Sequence, residues 1–269
     1  MDFIDTHCHI QSIGDDLSDN TSKLWAKSDL TYKKVIENAS IKNVKTLIVV
    51  GCTLEDSKNA INLSSSYPNI YTSVGIHPHE ASQFLNTKNS KKQFEQLLKK
   101  DKVVAIGECG LDYYYNHSDH VSQKEVLIFQ IEMALKYNLP LIFHVRNAFT
   151  DFWPIIDKYN EKLRAILHSF TDNEENLKKG LAKDFLIGIN GISTFTKDQN
   201  QKNLFKSIPL KHIVLETDSP YLTPNPFRGK INEPKNIRII ADYLAELRGE
   251  DLAEIAFQTT KNARQFFGV

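Results

Sequence analysis

The 269-residue sequence predicts a single (β/α)8 TIM barrel. Short apolar, β-branched runs recur eight times, stretches with helical spacing separate them, and the length suits the roughly 250 residues of such a barrel. The runs are Phe3–Asp5, Thr46–Gly51, Tyr71–Ile76, Val103–Gly107, Pro140–Phe143, Arg164–Leu167, Phe185–Ile189 and His212–Leu215. Each is nearly continuous in apolar residues, as strands covered on both faces of a parallel sheet are. Tyr32, Val35, Ile36 and Ala39 between the first two runs, and Val126, Leu127, Ile131, Ala134 and Leu135 between the fourth and fifth, recur at steps of three and four. Those steps mark helices, and a helix is the usual crossover between parallel strands. Counting strands does not establish closure, so an open doubly wound sheet is the alternative. After the eighth run, Pro220 to Pro226 reads as a stiff, extended loop, and two helices near Pro234–Arg248 and Asp251–Phe267 are expected to end the chain.

Bulk composition narrows the function classes. Apolar residues make up 41% and charged residues 25%, as in a globular protein with a large core, and one domain over residues 1–269 is expected. Lys plus Arg and Asp plus Glu stand at 33 each, so no strong overall field draws in polyanions or an anionic membrane, and any nucleic-acid contact must be local. The start, Met1 to Asp5, lacks the basic residues and apolar run of a secretion signal, and no stretch approaches the ~20 apolar residues of a membrane span, so a cytoplasmic location is expected. Cys8, Cys52 and Cys109 form no C-x-x-C spacing; they read as reduced and buried rather than as disulfides or a zinc ribbon.

In a barrel the reactive groups sit at the carboxyl ends of the strands. Here the first run ends in His7-Cys8-His9, the fourth in Gly107-Glu108, the fifth in Phe143-His144, the sixth in Leu167-His168 and the eighth in Glu216-Thr217-Asp218. Residues two apart on a strand share a face, so His7 and His9 both point inward and Cys8 points to the helical layer. A lone histidine is ordinarily a hydrogen-bonded packing residue, but agreement at five strand ends favours metal ligation. Cations also remove the cost of burying carboxylates and imidazoles together. Six candidates, His7, His9, Glu108, His144, His168 and Asp218, exceed what one catalytic ion takes while keeping a position for water. Two ions bridged by one carboxylate fit better, with Glu108 as the bridge.

These residues belong to an ordered set: Ile4 to His9, Ser73 to His79, Gly107 to Tyr113, Leu215 to Leu222, and Asn232-Glu233-Pro234. The set resembles the TatD-type deoxyribonucleases over essentially the whole chain. The resemblance implies an amidohydrolase-type barrel and metal-dependent hydrolysis of DNA phosphodiester bonds, with trimming from the 3′ end. It assigns His7, His9, Glu108 and Asp218 to one ion and Glu108, His144 and His168 to the other, with no carboxylated lysine. The sequence departs from the family pattern at His168-Ser169-Phe170-Thr171-Asp172, where Asp172 adds a carboxylate after the sixth strand.

On this reading Asp218 and Glu108 are the catalytic carboxylates, Asp218 orienting the attacking water and accepting its proton. Arg146 and Arg228 are the cations best placed to grip phosphate, and the family resemblance makes His77 a substrate contact or a support behind the metal ligands. His79 is read as structural, while His117, His120 and His212 are excluded. Tyr113, Tyr114 and Tyr115 offer an aromatic face to an unpaired base. The expected cofactors are two divalent ions, Mg²⁺, Mn²⁺ or Zn²⁺, and the expected partner is single-stranded rather than duplex DNA, with no membrane and no obligate protein partner. The alternatives are an amidase, lactonase or other ester hydrolase, including an aminoacyl-tRNA deacylase, on the same site, and a barrel that uses metals only structurally.

Overall fold

A computed structural model describes residues 1–14, 20–115, 117–159 and 163–269. The strands are β1 (Phe3–Cys8), β2 (Val44–Val50), β3 (Ile70–Val74), β4 (Val103–Asp112), β5 (Leu141–Arg146), β6 (Ala165–Leu167), β7 (Leu186–Ile189) and β8 (Ile213–Leu215). They form one eight-stranded sheet in sequence order, β1 to β8. The eighth strand returns to the first: Cys8 bridges Ser219, His9 N–H donates to the Ser219 carbonyl at 2.8 Å, and Asp218 N–H donates to the His7 carbonyl at 2.8 Å. This is the (β/α)8 barrel, and the open sheet is excluded.

Residue contacts divide the chain into two compact units. The first comprises Met1–Val49, Ser169–Lys178 and Leu186–Val269. It pairs β1 with β2 and β7 with β8, both parallel, and buries Leu47, Ile48, Val49, Ile187, Val214 and Leu215. The two expected closing helices lie in it. The first begins as a short 3-10 turn at Pro234–Asn236 and continues as Ile237–Arg248; the second is Leu252–Phe267. Gly249 and Gly268 end them with positive φ, which glycine adopts without a side-chain penalty.

The second unit comprises Val50–His168 and Lys179–Phe185. It pairs β3, β4, β5 and β6 in parallel around Ile106, Leu141, Ile142, Phe143 and Leu167. Here the structure corrects a boundary. The fourth strand does not end at Glu108, because its pairing with β5 continues from Cys109↔Phe143 through Gly110↔His144 to Asp112↔Arg146. Close approach permits this: a Cβ on Gly110 would lie 1.8 Å from the His144 carbonyl oxygen. The third strand is shorter than expected, and His77 and His79 follow it around a 3-10 turn at Pro78–Glu80. Among the described residues no helix is long and apolar enough to cross a membrane.

Gly110→Ala should therefore force β4 and β5 apart and cost about 3 kcal/mol, from overpacking together with a φ of +151° that an L side chain resists. Urea denaturation reads this directly, and an unchanged midpoint would refute the tight pairing.

Candidate metal centre

Each unit carries its own group of imidazoles and carboxylates at the carboxyl ends of its strands. In the first, His7 is fully buried on β1, His9 follows it, and Asp218 lies three residues past β8. His7 Nε2 is 3.2 Å from His9 Nε2 and 3.8 Å from Asp218 Oδ1, and His9 Nε2 is 3.3 Å from the same oxygen. Ions bound at about 2.0–2.2 Å by nitrogen and oxygen set their ligands roughly 3–3.5 Å apart, so this triangle suits one divalent cation.

Asp5 fixes the triangle from below. Its Oδ1 accepts the N–H of His7 at 3.2 Å and of Thr217 at 2.9 Å, and its Oδ2 accepts the Thr217 hydroxyl at 2.5 Å. Burial drives the Asp5 carboxyl up to about 8, with the hydrogen bonds from Thr217 and His7 only partly opposing it. Beyond Thr217 the backbone turns sharply at Asp218, whose φ of 56° is left-handed. Asp tolerates that conformation better than most residues.

In the second unit three imidazoles converge on one oxygen, Glu108 Oε1: His144 Nδ1 at 2.8 Å, His168 Nε2 at 3.7 Å and His77 Nε2 at 3.9 Å. Glu108 and His168 are buried and His144 is half-buried. The donor set again fits a divalent ion, with Glu108, His144 and His168 or His77 to hold it. Burial disfavours charge on His144, but hydrogen bonds with Asp112 and Glu108 outweigh it and hold its imidazolium up at about 9. Burial, reinforced by His144, keeps His77 well below its ordinary value and hence neutral. Its Nδ1 accepts the His79 N–H at 3.2 Å.

Within the first unit the structure brings together His7, His9 and Asp218, and within the second Glu108, His144, His168 and His77. The phosphate-gripping candidates are stacked. The Arg146 guanidinium carbon lies 3.9 Å from the Tyr114 ring centroid and 5.0 Å from that of Tyr115, and the Arg228 carbon lies 3.7 Å from that of Phe195. Both arginines are exposed. Of the proposed aromatic face, Tyr114 and Tyr115 are exposed, whereas Tyr113 stacks on His120 and donates its hydroxyl to Asp151 at 2.8 Å. Asp172 accepts from Asn173 N–H and the Asn176 amide, which occupies it at the start of the helix Glu174–Ala182.

Two residues were missed in the sequence. Asp112, buried, takes His144 Nε2 at 2.9 Å and His79 Nε2 at 3.1 Å on its Oδ2. It shares the inward face with Glu108, four residues earlier on β4, so alternation along a longer strand was the available signal. Cys52, expected to be buried, is half-buried, with its Sγ 3.8 Å from Glu108 Oε2, because it follows the end of β2 instead of lying inside a strand.

A parallel barrel with such imidazole–carboxylate groups at its strand ends defines a metal-dependent hydrolase. Residues 4–268 match the family model described as TatD related DNase, and the chain belongs to that family. It is 35% identical over 266 residues to the uncharacterized metal-dependent hydrolase YabD of Bacillus subtilis, covering 98% of each chain. It is 32% identical over 255 residues to the 3′-5′ ssDNA/RNA exonuclease TatD of Escherichia fergusonii, covering 93% of this chain and 96% of that one. The crystal structure of YjjV, a TatD homologue from Escherichia coli K12, is similar with a TM-score of 0.85 at 26% identity, over 99% of this chain and 98% of the other.

Because a metal ion must displace the proton that His144 holds up to about 9, Zn²⁺ affinity should rise with pH through neutrality and level off near that value. Chelator competition across pH 6 to 10 measures it. A flat profile would sink the assignment of His144 as a ligand.

Proposed function

We propose that this hydrolase cleaves phosphodiester bonds at the 3′ ends of single-stranded nucleic acid, using two divalent ions. His7, His9 and Asp218 would hold one ion, and Glu108, His144 and His168 the other. The observation that carries the reading is the convergence of His144, His168 and His77 on a single Glu108 oxygen. The exonuclease name of the Escherichia fergusonii relative supports the substrate class. Three cysteines without a disulfide suit the reducing cytoplasm, where we place the protein.

Divalent ions in such a site polarise the phosphoryl group and acidify water. The chain supplies the remainder. Asp218 is half-buried, aimed at the His7–His9 pair, and able as a carboxylate to orient the attacking water and accept its proton. Neutral His77 offers its Nε2–H beside Glu108, where a phosphate oxygen can accept it. The guanidinium groups of Arg146 and Arg228 sit over aromatic rings; one Arg228 Nη1–H donates to the Thr223 carbonyl at 3.4 Å, and the remaining N–H groups can meet phosphate.

The test incubates 3′-labelled single-stranded DNA and RNA with Mg²⁺, Mn²⁺ or Zn²⁺, with and without chelator, beside a panel of esters and lactones. Release of 3′-terminal nucleotides that chelator abolishes is expected; turnover of esters or lactones with intact nucleic acid would replace this reading. Asp218→Asn should lower kcat by roughly 10²–10⁴-fold. Arg146→Ala and Arg228→Ala should instead raise KM and flatten its salt dependence. An Asp218→Asn enzyme at full rate with its metal retained would remove the proton-acceptor role.

A further inference from the structure

We propose that Asp112 is the positioning residue of His144, fixing its imidazole in the Nε2–H form so that Nδ1 is the atom presented to a metal ion. The inference rests on the metal-dependent reading of the Glu108 cluster and specifies how that cluster is built.

Asp112 is 1% exposed, and both of its carboxylate oxygens are engaged. Oδ1 accepts the backbone N–H groups of Tyr114 at 2.9 Å and Tyr115 at 3.1 Å, which prevents the carboxylate from rotating. Oδ2 faces His144 Nε2 at 2.9 Å and His79 Nε2 at 3.1 Å. The backbone on either side is clamped as well: Gln123 Oε1 accepts the Asp112 N–H at 2.8 Å, and Gln123 Nε2 donates to the Asp112 carbonyl at 3.0 Å. An ionised carboxylate only accepts, so each imidazole facing it must present an N–H.

Both nitrogens of His144 face a carboxylate, and the other candidate ligands gather on one side only. Nε2 carries the hydrogen and is occupied by Asp112; Nδ1 is turned to Glu108 Oε1 at 2.8 Å, on the side where His168 and His77 also converge. The opposite arrangement, with Nε2 coordinating, would turn the ligand atom away from Glu108, His168 and His77 and toward Asp112 and His79. Metal-binding imidazoles commonly donate their second N–H to a carboxylate, which sets tautomer and ring orientation and raises ligand basicity. The carboxylate here comes from β4, two residues along the pairing from the partner of His144, so the register of the sheet delivers it. Through Oδ1 the same side chain holds the loop whose Tyr114 carries Arg146.

The experiment loads ¹⁵N-histidine-labelled protein with Zn²⁺, assigns His144 from the spectrum of His144→Gln, and records two-bond ¹H–¹⁵N correlations. The expected result is a protonated Nε2 and a metal-shifted Nδ1 for His144. In parallel, Asp112→Asn should bind Zn²⁺ about 10–100-fold more weakly by chelator competition, with its circular dichroism preserved. Coordination through Nε2, or an Asp112→Asn protein that folds and keeps full affinity, would overturn the positioning role while leaving the metal reading in place. Should Asp112→Asn fail to fold, the wild-type spectrum alone decides the tautomer. A wild-type protein that binds no Zn²⁺ would overturn both.

Discussion

A parallel sheet sends every strand in the same direction, and the chemistry of this protein depends on that constraint. Residues remote in sequence acquire a common side because each ends a strand. In the first unit this joins His7 and Asp218, 211 residues apart by their numbering, through a backbone hydrogen bond of 2.8 Å between the two residues themselves. In the second it aligns Gly110 of β4 with His144 of β5, and His168 N–H with the Phe143 carbonyl at 2.9 Å. The side chains that meet are thus set by main-chain pairing, which is far stiffer than loop contact. That stiffness lets polar groups be held at ligand spacing inside a largely apolar wall.

The same residue type serves opposite electrostatic ends in the two units. Asp5 and Asp112 are both buried aspartates that fix a histidine-bearing segment. The partners of Asp5 are amides and a hydroxyl, which do not offset the loss of water, and burial drives its carboxyl up to about 8. Burial acts on Asp112 in the same sense, yet the hydrogen bonds from His144 and His79 reverse it and hold that carboxyl far below the usual range. Burial thus pushes one carboxyl up, while hydrogen bonds from imidazoles hold the other down as a fixed negative charge. Only the second can orient an imidazole by accepting from it while raising its basicity.

Much of this arrangement was legible in the sequence. The eight runs of apolar residues became the eight strands, and the histidines and carboxylates that ended or followed them form the two groups. What escaped has a physical reason. The fourth apolar run stops at Gly107, so the strand reads as ending in Gly107-Glu108. In the folded chain Gly110 permits a close approach to β5 that no other residue allows, and the strand runs on to Asp112. The cue was a false stop, and with it went the carboxylate that orients His144. The position of Cys52 escaped for a different reason: a loop residue has no periodicity to announce which way its side chain turns.

The balance of 33 basic and 33 acidic residues bears on how substrate is gripped under the proposed function. A protein that follows duplex DNA gathers much of its affinity from many phosphate contacts, and a neutral chain has little long-range field to support them. Its cations must act singly. Both exposed candidates are stacked against aromatic rings, Arg146 on Tyr114 and Arg228 on Phe195. Stacking restricts the long side chain before substrate arrives, so less conformational entropy is lost when its planar edge meets a phosphate. Arg146 lies over one face of Tyr114, and the exposed parts of Tyr114 and Tyr115 beside it are aromatic surface that an unpaired base can meet but a base inside a duplex cannot. A few pre-set contacts of this kind suit the end of a single strand, where one phosphate and one or two bases must be placed accurately and the remainder of the polymer need not be held.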